Sequence, residues 1–212
     1  MKPEVNIKKA PKVLSDRLRV VFKGLFEPIA VFLNRLGVRP NHITFLGLLG
    51  HILGAYLLAI GHITWGGIVI LVIAPLDFLD GTLARLRGEP TKFGAFVDSV
   101  TDRYDEAFIF GGLLYYFLTQ QNWIASLLVY ISLSGSLLVS YVRSRAESLE
   151  FSAKIGILSR FERYVVLVPA LIFNYPVIAL WILAILTNFT AVQRIIHVRR
   201  QAYVLQESQD GS

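Results

Sequence analysis

Between residues 40 and 200 the chain alternates long apolar stretches with short polar breaks. The stretches predict six helices at about 42–60, 63–87, 92–118, 123–147, 160–173 and 177–197. Several approach the roughly 20 residues needed to cross a bilayer. The fifth is short and is read as tilted, or as extending toward residue 155. The breaks are of two kinds. Gly61-His62, Thr119-Gln120-Gln121-Asn122 and Asn174-Tyr175-Pro176 carry no charge. Apart from Asp77 and Asp80, every Lys, Arg, Asp and Glu lies near the N-terminus, within 85–106, within 143–163, or from Arg194 onward. The positive-inside rule then puts both termini and both charged loops on the cytoplasmic side of a cell membrane. Trp65 and Trp123, at the opposite ends of their helices, fit an aromatic belt.

Ahead of the six helices, residues 1–10 read as a polar arm. From 11 to 36 apolar residues recur at helical spacing (Leu14, Leu18, Val21, Leu25, Ile29, Phe32, Leu36), with Lys12, Asp16, Arg19, Lys23 and Glu27 on other faces. This predicts an amphipathic helix in the membrane interface, broken at Pro28; a helix packed on a soluble partner has the same pattern. The expected organisation is an all-α integral membrane protein: 1–39 arm and interfacial helix, 40–200 six-helix transmembrane domain, 201–212 polar, disordered tail.

Composition supports the membrane. Of 212 residues, 54% are hydrophobic and only 17% charged, where a soluble domain has nearer a quarter charged. The net charge of +6 sits beside apolar segments, which favours anionic lipid headgroups over nucleic acid as partner. The absence of cysteine excludes a disulfide framework, a zinc–thiolate site and a cysteine nucleophile. The first residues lack a signal-peptide pattern, so the first spanning helix is expected to direct membrane insertion.

Candidate chemistry lies where acid meets apolar sequence. Asp77 and Asp80 end the apolar run from Trp65 to Leu76, and Gly81, Ala84 and Arg85 follow. A carboxylate at membrane depth costs about 2.5–3.5 kcal/mol in insertion experiments, so such groups mark function. Asp77 and Asp80 are i and i+3 on one helix; Gly94, Asp98 and Asp102 are successive i+4 steps on the next. Gly88-Glu89-Pro90 supplies the turn between them. Two antiparallel helices thus point four carboxylates, Asp77, Asp80, Asp98 and Asp102, toward one cavity. Four like charges need cations, and an all-oxygen set suits Mg²⁺, with Mn²⁺ or Ca²⁺ as alternatives. Gly81, Ala84 and Gly94 leave room for a phosphate or nucleotide, and Arg85 can neutralise its charge. The competing reading is a salt-bridge network with Arg85, Arg87 and Arg103. It leaves the small residues unexplained.

The stretch 77–102 reads D-x2-D-G-x2-A-R-x8-G-x3-D-x3-D, eight fixed positions over 26 residues. It resembles the signature of the CDP-alcohol phosphotransferase family, as do the Pro40-Asn41-His42-Ile43-Thr44 entry and the six-helix layout. The resemblance implies a dinuclear metal site on Asp77, Asp80 and Asp98, with Asp102 beside it as general base. It also implies a cytidine diphosphate pocket lined by Asp77, Asp80, Gly81, Ala84, Arg85 and Gly94. The reaction it implies moves a phosphatidyl-type group from CDP-diacylglycerol or a CDP-archaeol-type lipid to a small alcohol. A homodimer is implied as well.

A second basic group flanks the later loop: Arg143, Arg145, Arg160 and Arg163, with Arg194 closing the last helix. Positive-inside placement explains such residues without a ligand. These segments, and Asp98 to Arg103, resemble the branch of the family that makes inositol-phosphate lipids. That likeness implies arginines on the phosphate of an inositol phosphate acceptor, where bidentate guanidinium contacts fix orientation. Glycerol 3-phosphate or another alcohol is the alternative acceptor. An ion-coupled transporter would need polar residues through the full membrane depth, and Gly111–Leu118 and Ile124–Leu133 are largely apolar.

Overall fold

A computed structural model describes residues 27–88 and 91–210, apart from the side chains of Asp77, Phe78, Leu205 and 208–210. The described residues are all-helical. Helix α1 covers 27–35. It is followed by α2 (Pro40–Ala59), α3 (Ile63–Ile73), α4 (Leu76–Leu86), α5 (Lys92–Thr119), α6 (Trp123–Ser148), α7 (Arg160–Ile172) and α8 (Pro176–Asp210). Three stretches are long and apolar enough to cross a membrane: Pro40–Ala59, Trp123–Ser148 and Pro176–Val204. Ile63–Ile73 is a shorter apolar helix. The predicted interfacial helix falls mostly outside the described residues; only its end, 27–35, is seen, and it is helical.

The predicted boundaries of α2, α5, α6 and α7 agree with the structure to within two residues. Three other expectations need correction. The span read as one helix over 63–87 is two, α3 and α4, joined through Ala74 and Pro75. Both joining residues keep right-handed helical angles, so this is a kink; Pro75 has no N–H to donate and crowds the preceding turn. The fifth helix does not reach toward 155. It starts at Arg160, where the Glu162 carboxylate accepts the backbone N–H of Ser159 and caps the first turn. The tail is not disordered through 201–210, because α8 continues to Asp210.

Residue contacts explain that continuation. The Gln201 side-chain amide donates to the Ser152 carbonyl at 2.6 Å and accepts its N–H at 3.0 Å. About two turns earlier, Arg194 donates to the carbonyls of Ile155 at 2.8 Å and Val139 at 2.6 Å. The loop between α6 and α7 is thereby clamped to α8, which fixes where α7 begins.

The main core gathers Leu58, Ile70, Leu113, Leu171, Leu180 and Leu183, all essentially solvent-free. Backbones approach closely where α5 crosses α2: a Cβ on Gly112 would run into the carbonyl oxygen of Ala55, so glycine is required there. A second, small core of Ala30, Ile43, Leu79 and Leu83 ties α1 and the start of α2 to α4. This second core seats the helix that carries the first motif aspartates.

Candidate active site

The entry residues and α4 work as one unit. Pro40 opens α2, where its missing N–H is no loss, and Thr44 lies one turn in. The Thr44 hydroxyl donates to Oδ2 of Asp80 at 2.7 Å. Asp80 is 5% exposed, and its Oδ1 accepts the Gly81 N–H at 2.5 Å. The side chain of Asp77, one turn before Asp80, lies outside the described residues.

Small residues near Asp80 leave space. A Cβ on Gly81 would meet nothing closer than Nη1 of Arg85 at 3.6 Å. Packing therefore does not demand glycine there, unlike at Gly112. Ala84 is half-buried on the next turn. Gly94 sits at the start of α5, where Thr91 caps its N–H at 2.9 Å. Arg85 is exposed and donates to Thr82 at 3.0 Å; Arg87 donates to Asn34 at 2.7 Å. Among the described residues no ion pair joins Arg85 or Arg87 to a motif aspartate, whereas Arg103, the third member of the competing network, does pair with Asp102.

The helix α5 presents Asp98 and Asp102 one turn apart. Half-buried Asp98 makes no hydrogen bond or ion pair among the described residues. Asp80 on α4 and Asp98 on α5 are hard oxygen donors, the latter with no such partner among the described residues. That set fits a divalent cation bound by few carboxylates, with positions left for phosphate oxygens. The described side chains do not by themselves bring three or more such donors together; Asp77 is the member outside their range. Asp102 lies 3.3 Å from Nη1 of Arg103, which also donates to the Ser99 carbonyl at 2.8 Å.

The basic group separates in space. Arg160, first residue of α7, pairs through Nη1 with Oδ1 of Asp102 and stands 3.6 Å from Asp105. Arg163 is buried against Glu106 and donates to the Leu158 carbonyl at 3.4 Å. Arg194 is buried on the loop carbonyls described above. Arg143 is exposed and pairs with Glu147 on its own helix at 3.0 Å, and Arg145 is exposed one turn from the end of α6. Among the described residues, Arg160 is the member of this group that meets a motif aspartate.

Asp105 and Glu106 lie outside the motif. Asp105 shares the Asp98 face in sequence, where supporting the site and packing against Arg103 or a water are equal readings. The structure adds His51, which the spacing does not single out. Glu106 is held by Arg163 and by the Ser136 hydroxyl at 2.6 Å. His51 stands 3.3 Å from Asp105 and 3.3 Å from the Tyr164 hydroxyl. The signal was present, since His51 and Glu106 are ionisable residues inside apolar helices; their side-chain partners lie 30 to 113 positions away (Glu106–Ser136, His51–Asp105, Glu106–Arg163, His51–Tyr164). A groove of about 200 Å³ between α2 and α5 is lined by Asn41, Thr44, Phe45, Leu48, Val97 and Thr101.

Known proteins share this layout. A family model for CDP-alcohol phosphatidyltransferase matches residues 37–193. A phosphatidylinositol phosphate synthase of Mycobacteroides abscessus is 33% identical over 192 residues, covering 85% of this chain and 86% of that protein. An archaetidylinositol phosphate synthase of Pyrococcus horikoshii is 35% identical over 187 residues, covering 88% of this chain and 97% of that one. The crystal structure of Mycobacterium tuberculosis phosphatidylinositol phosphate synthase with CDP-DAG bound superposes with a TM-score of 0.76 at 30% identity, over 82% of this chain and 92% of its own. The same enzyme in complex with manganese and citrate gives a TM-score of 0.77. With its eight-position motif intact and the match spanning α2 to α8, the chain belongs to the CDP-alcohol phosphatidyltransferase family.

Proposed function

We propose that this enzyme transfers the phosphatidyl-type group of a CDP-linked lipid to a hydroxyl of an inositol phosphate and releases CMP. The observation that carries the acceptor choice is the Asp102–Arg160 pair. It places a carboxylate fit to take a hydroxyl proton against a guanidinium fit to take a phosphate. The names of the relatives support the same acceptor.

The groove beside Thr44 supports a lipid donor. Its lining runs from polar Asn41, Thr44 and Thr101 to apolar Phe45, Leu48 and Val97, as an amphiphile requires. In this reading Asp77, Asp80, Gly81, Ala84, Arg85 and Gly94 would line the pocket for the cytidine diphosphate, with Arg85 offsetting its charge. Asp77, Asp80 and Asp98, with Asp102 adjoining, would hold divalent metal, Mg²⁺ or Mn²⁺ and two ions in this reading. Bound there, the metal would neutralise the diphosphate and stabilise departing CMP.

The remaining steps fall to this chain's residues. The acceptor phosphate takes one edge of the Arg160 guanidinium, which releases an oxygen of Asp102. Asp102 accepts the proton of the acceptor hydroxyl. The hydroxyl oxygen bonds to the phosphorus joined to the lipid, and the bond from that phosphorus to the CMP oxygen breaks, its electron pair leaving with CMP. Arg143 and Arg145, exposed near the loop, can add charge to the approach of the acceptor. Arg163 and Arg194 act in this reading by holding α7 and the loop in place. The six-span layout, an active site and termini facing the cytoplasm, and a homodimer complete the proposal.

The test is CMP release by purified enzyme with CDP-diacylglycerol and Mg²⁺ against a panel of inositol phosphate, glycerol 3-phosphate, free inositol and serine. Inositol phosphate should be the best substrate. Faster release with glycerol 3-phosphate would replace the acceptor and leave the reaction class standing.

A further inference from the structure

A closed ring of four side chains shares Arg160 with the Asp102–Arg160 pair and continues inward from it. It draws on α2, α5 and α7, and no position of the eight-residue motif belongs to it. Asp105 is 1% exposed. Its Oδ1 faces Nδ1 of His51 at 3.3 Å, and its Oδ2 faces Nη2 of Arg160 at 3.6 Å. His51 is fully buried. Its Nδ1 also lies 3.0 Å from the Gly47 carbonyl. With two oxygens at Nδ1, the proton belongs on that nitrogen. Its Nε2 faces the Tyr164 hydroxyl at 3.3 Å. The Tyr164 ring closes the circuit, lying 5.6 Å from the guanidinium carbon of Arg160, within cation–π range.

We propose that His51 and Asp105 are positioning residues for Arg160: they fix its inner edge so that its outer edge can pass from Asp102 to the acceptor phosphate. The inference rests on the acceptor reading of Arg160 given above. The geometry gives each member a task. Nδ1 is 3.0 Å from the Gly47 carbonyl and meets Oδ1 of Asp105 as the longer, electrostatic contact at 3.3 Å, which leaves that oxygen without a full hydrogen bond. The charge of Asp105 is therefore balanced chiefly by Arg160, and that attraction holds Nη2 inward. His51 keeps the carboxylate from turning away. Tyr164 supports the guanidinium plane and is itself oriented by Nε2 of His51. The Arg160 side chain as a whole is 25% exposed, so it keeps access to solvent while Nη2 is held against Asp105. A merely structural ring at this depth has little to recommend it, because apolar side chains of similar volume commonly replace buried ion pairs without loss of stability.

The test is steady-state kinetics on the full-length enzyme, with the KM for inositol phosphate and the KM for CDP-diacylglycerol measured separately. Asp105→Asn should raise the acceptor KM about tenfold, as loss of one charge-assisted contact does, and leave the donor KM nearly unchanged. His51→Leu should do the same. His51→Asn, which sets an amide N–H near the place of Nδ1, should recover most of the loss. In an Arg160→Ala background, Asp105→Asn should add nothing. Additive losses, equal rises in both KM values, or failure of His51→Asn to rescue would overturn the positioning role. If Asp105→Asn does not fold, the His51 pair decides by itself. An unchanged acceptor KM in Arg160→Ala alone would overturn the acceptor reading, and this proposal with it. A raised KM there with additive Asp105→Asn overturns only the positioning role.

Discussion

Asp102–Arg160 and Glu106–Arg163 are built alike. Each joins α5 to α7, and the second lies one turn along both helices from the first. Their surroundings differ. Asp102 and Arg160 are 14% and 25% exposed, whereas Glu106 and Arg163 are each 5% exposed, with Ser136 taking up the second oxygen of Glu106. An ion pair with a face open to the site can exchange one partner for an anionic ligand. An ion pair closed on all sides has nothing to exchange with and holds two helices in register. In the proposed reading a step of one helical turn separates chemistry from framework, although the side chains are of the same types.

The comparison can be broken most sharply at Asp102. Asp102→Asn should lower the rate of CMP formation by about 10²–10⁴-fold, the usual contribution of a general base, with thermal unfolding in detergent near wild type. Near-normal turnover would remove Asp102 from its role. At the inner pair the expected effect moves to stability. Arg163→Ala strands the Glu106 carboxylate in the interior and should destabilise the fold by about 3–5 kcal/mol, read as a large drop in unfolding temperature. Replacing both partners together, Glu106→Leu with Arg163→Met, should recover most of that loss, because the desolvation penalty disappears with the charges. If the double variant were as unstable as Arg163→Ala, packing rather than charge would explain the inner pair. Ser136→Ala should cost least, about 1–3 kcal/mol, for the hydrogen bond withdrawn from a buried carboxylate.

The sequence made the outer, acidic limb legible and left the basic limb obscure. Asp77, Asp80, Asp98 and Asp102 stand at steps of three and four along helices whose periodicity is plain, so local geometry sufficed to place them on common faces. The kink was less visible. Pro75 lies in an unbroken apolar run, and periodicity carried the reading straight through it. Arg160 and Arg163 look equivalent in sequence, both following Ser159 at the start of a helix. Their division of labour depends on Asp102, Asp105 and Glu106 across the bundle, a long-range pairing that no local period encodes. Arg194 likewise reads as a charge at a helix end, yet it clasps the carbonyls of Ile155 in the loop and Val139 in α6, and Gln201 that of Ser152, at 2.6–2.8 Å. Polar tail residues gave no hint that α8 continues, because the partner that orders them, Ser152, belongs to a different loop.

The central claim is that the outer arginine recognises phosphate on the acceptor. It is tested most directly by the ratio of kcat/KM for inositol phosphate to that for free inositol, in wild type and in Arg160→Ala. The wild-type enzyme should strongly prefer the phosphorylated acceptor, and Arg160→Ala should reduce the ratio by about ten- to a hundredfold, the worth of a charge-assisted hydrogen-bonded contact. An undiminished ratio in the variant would contradict the account.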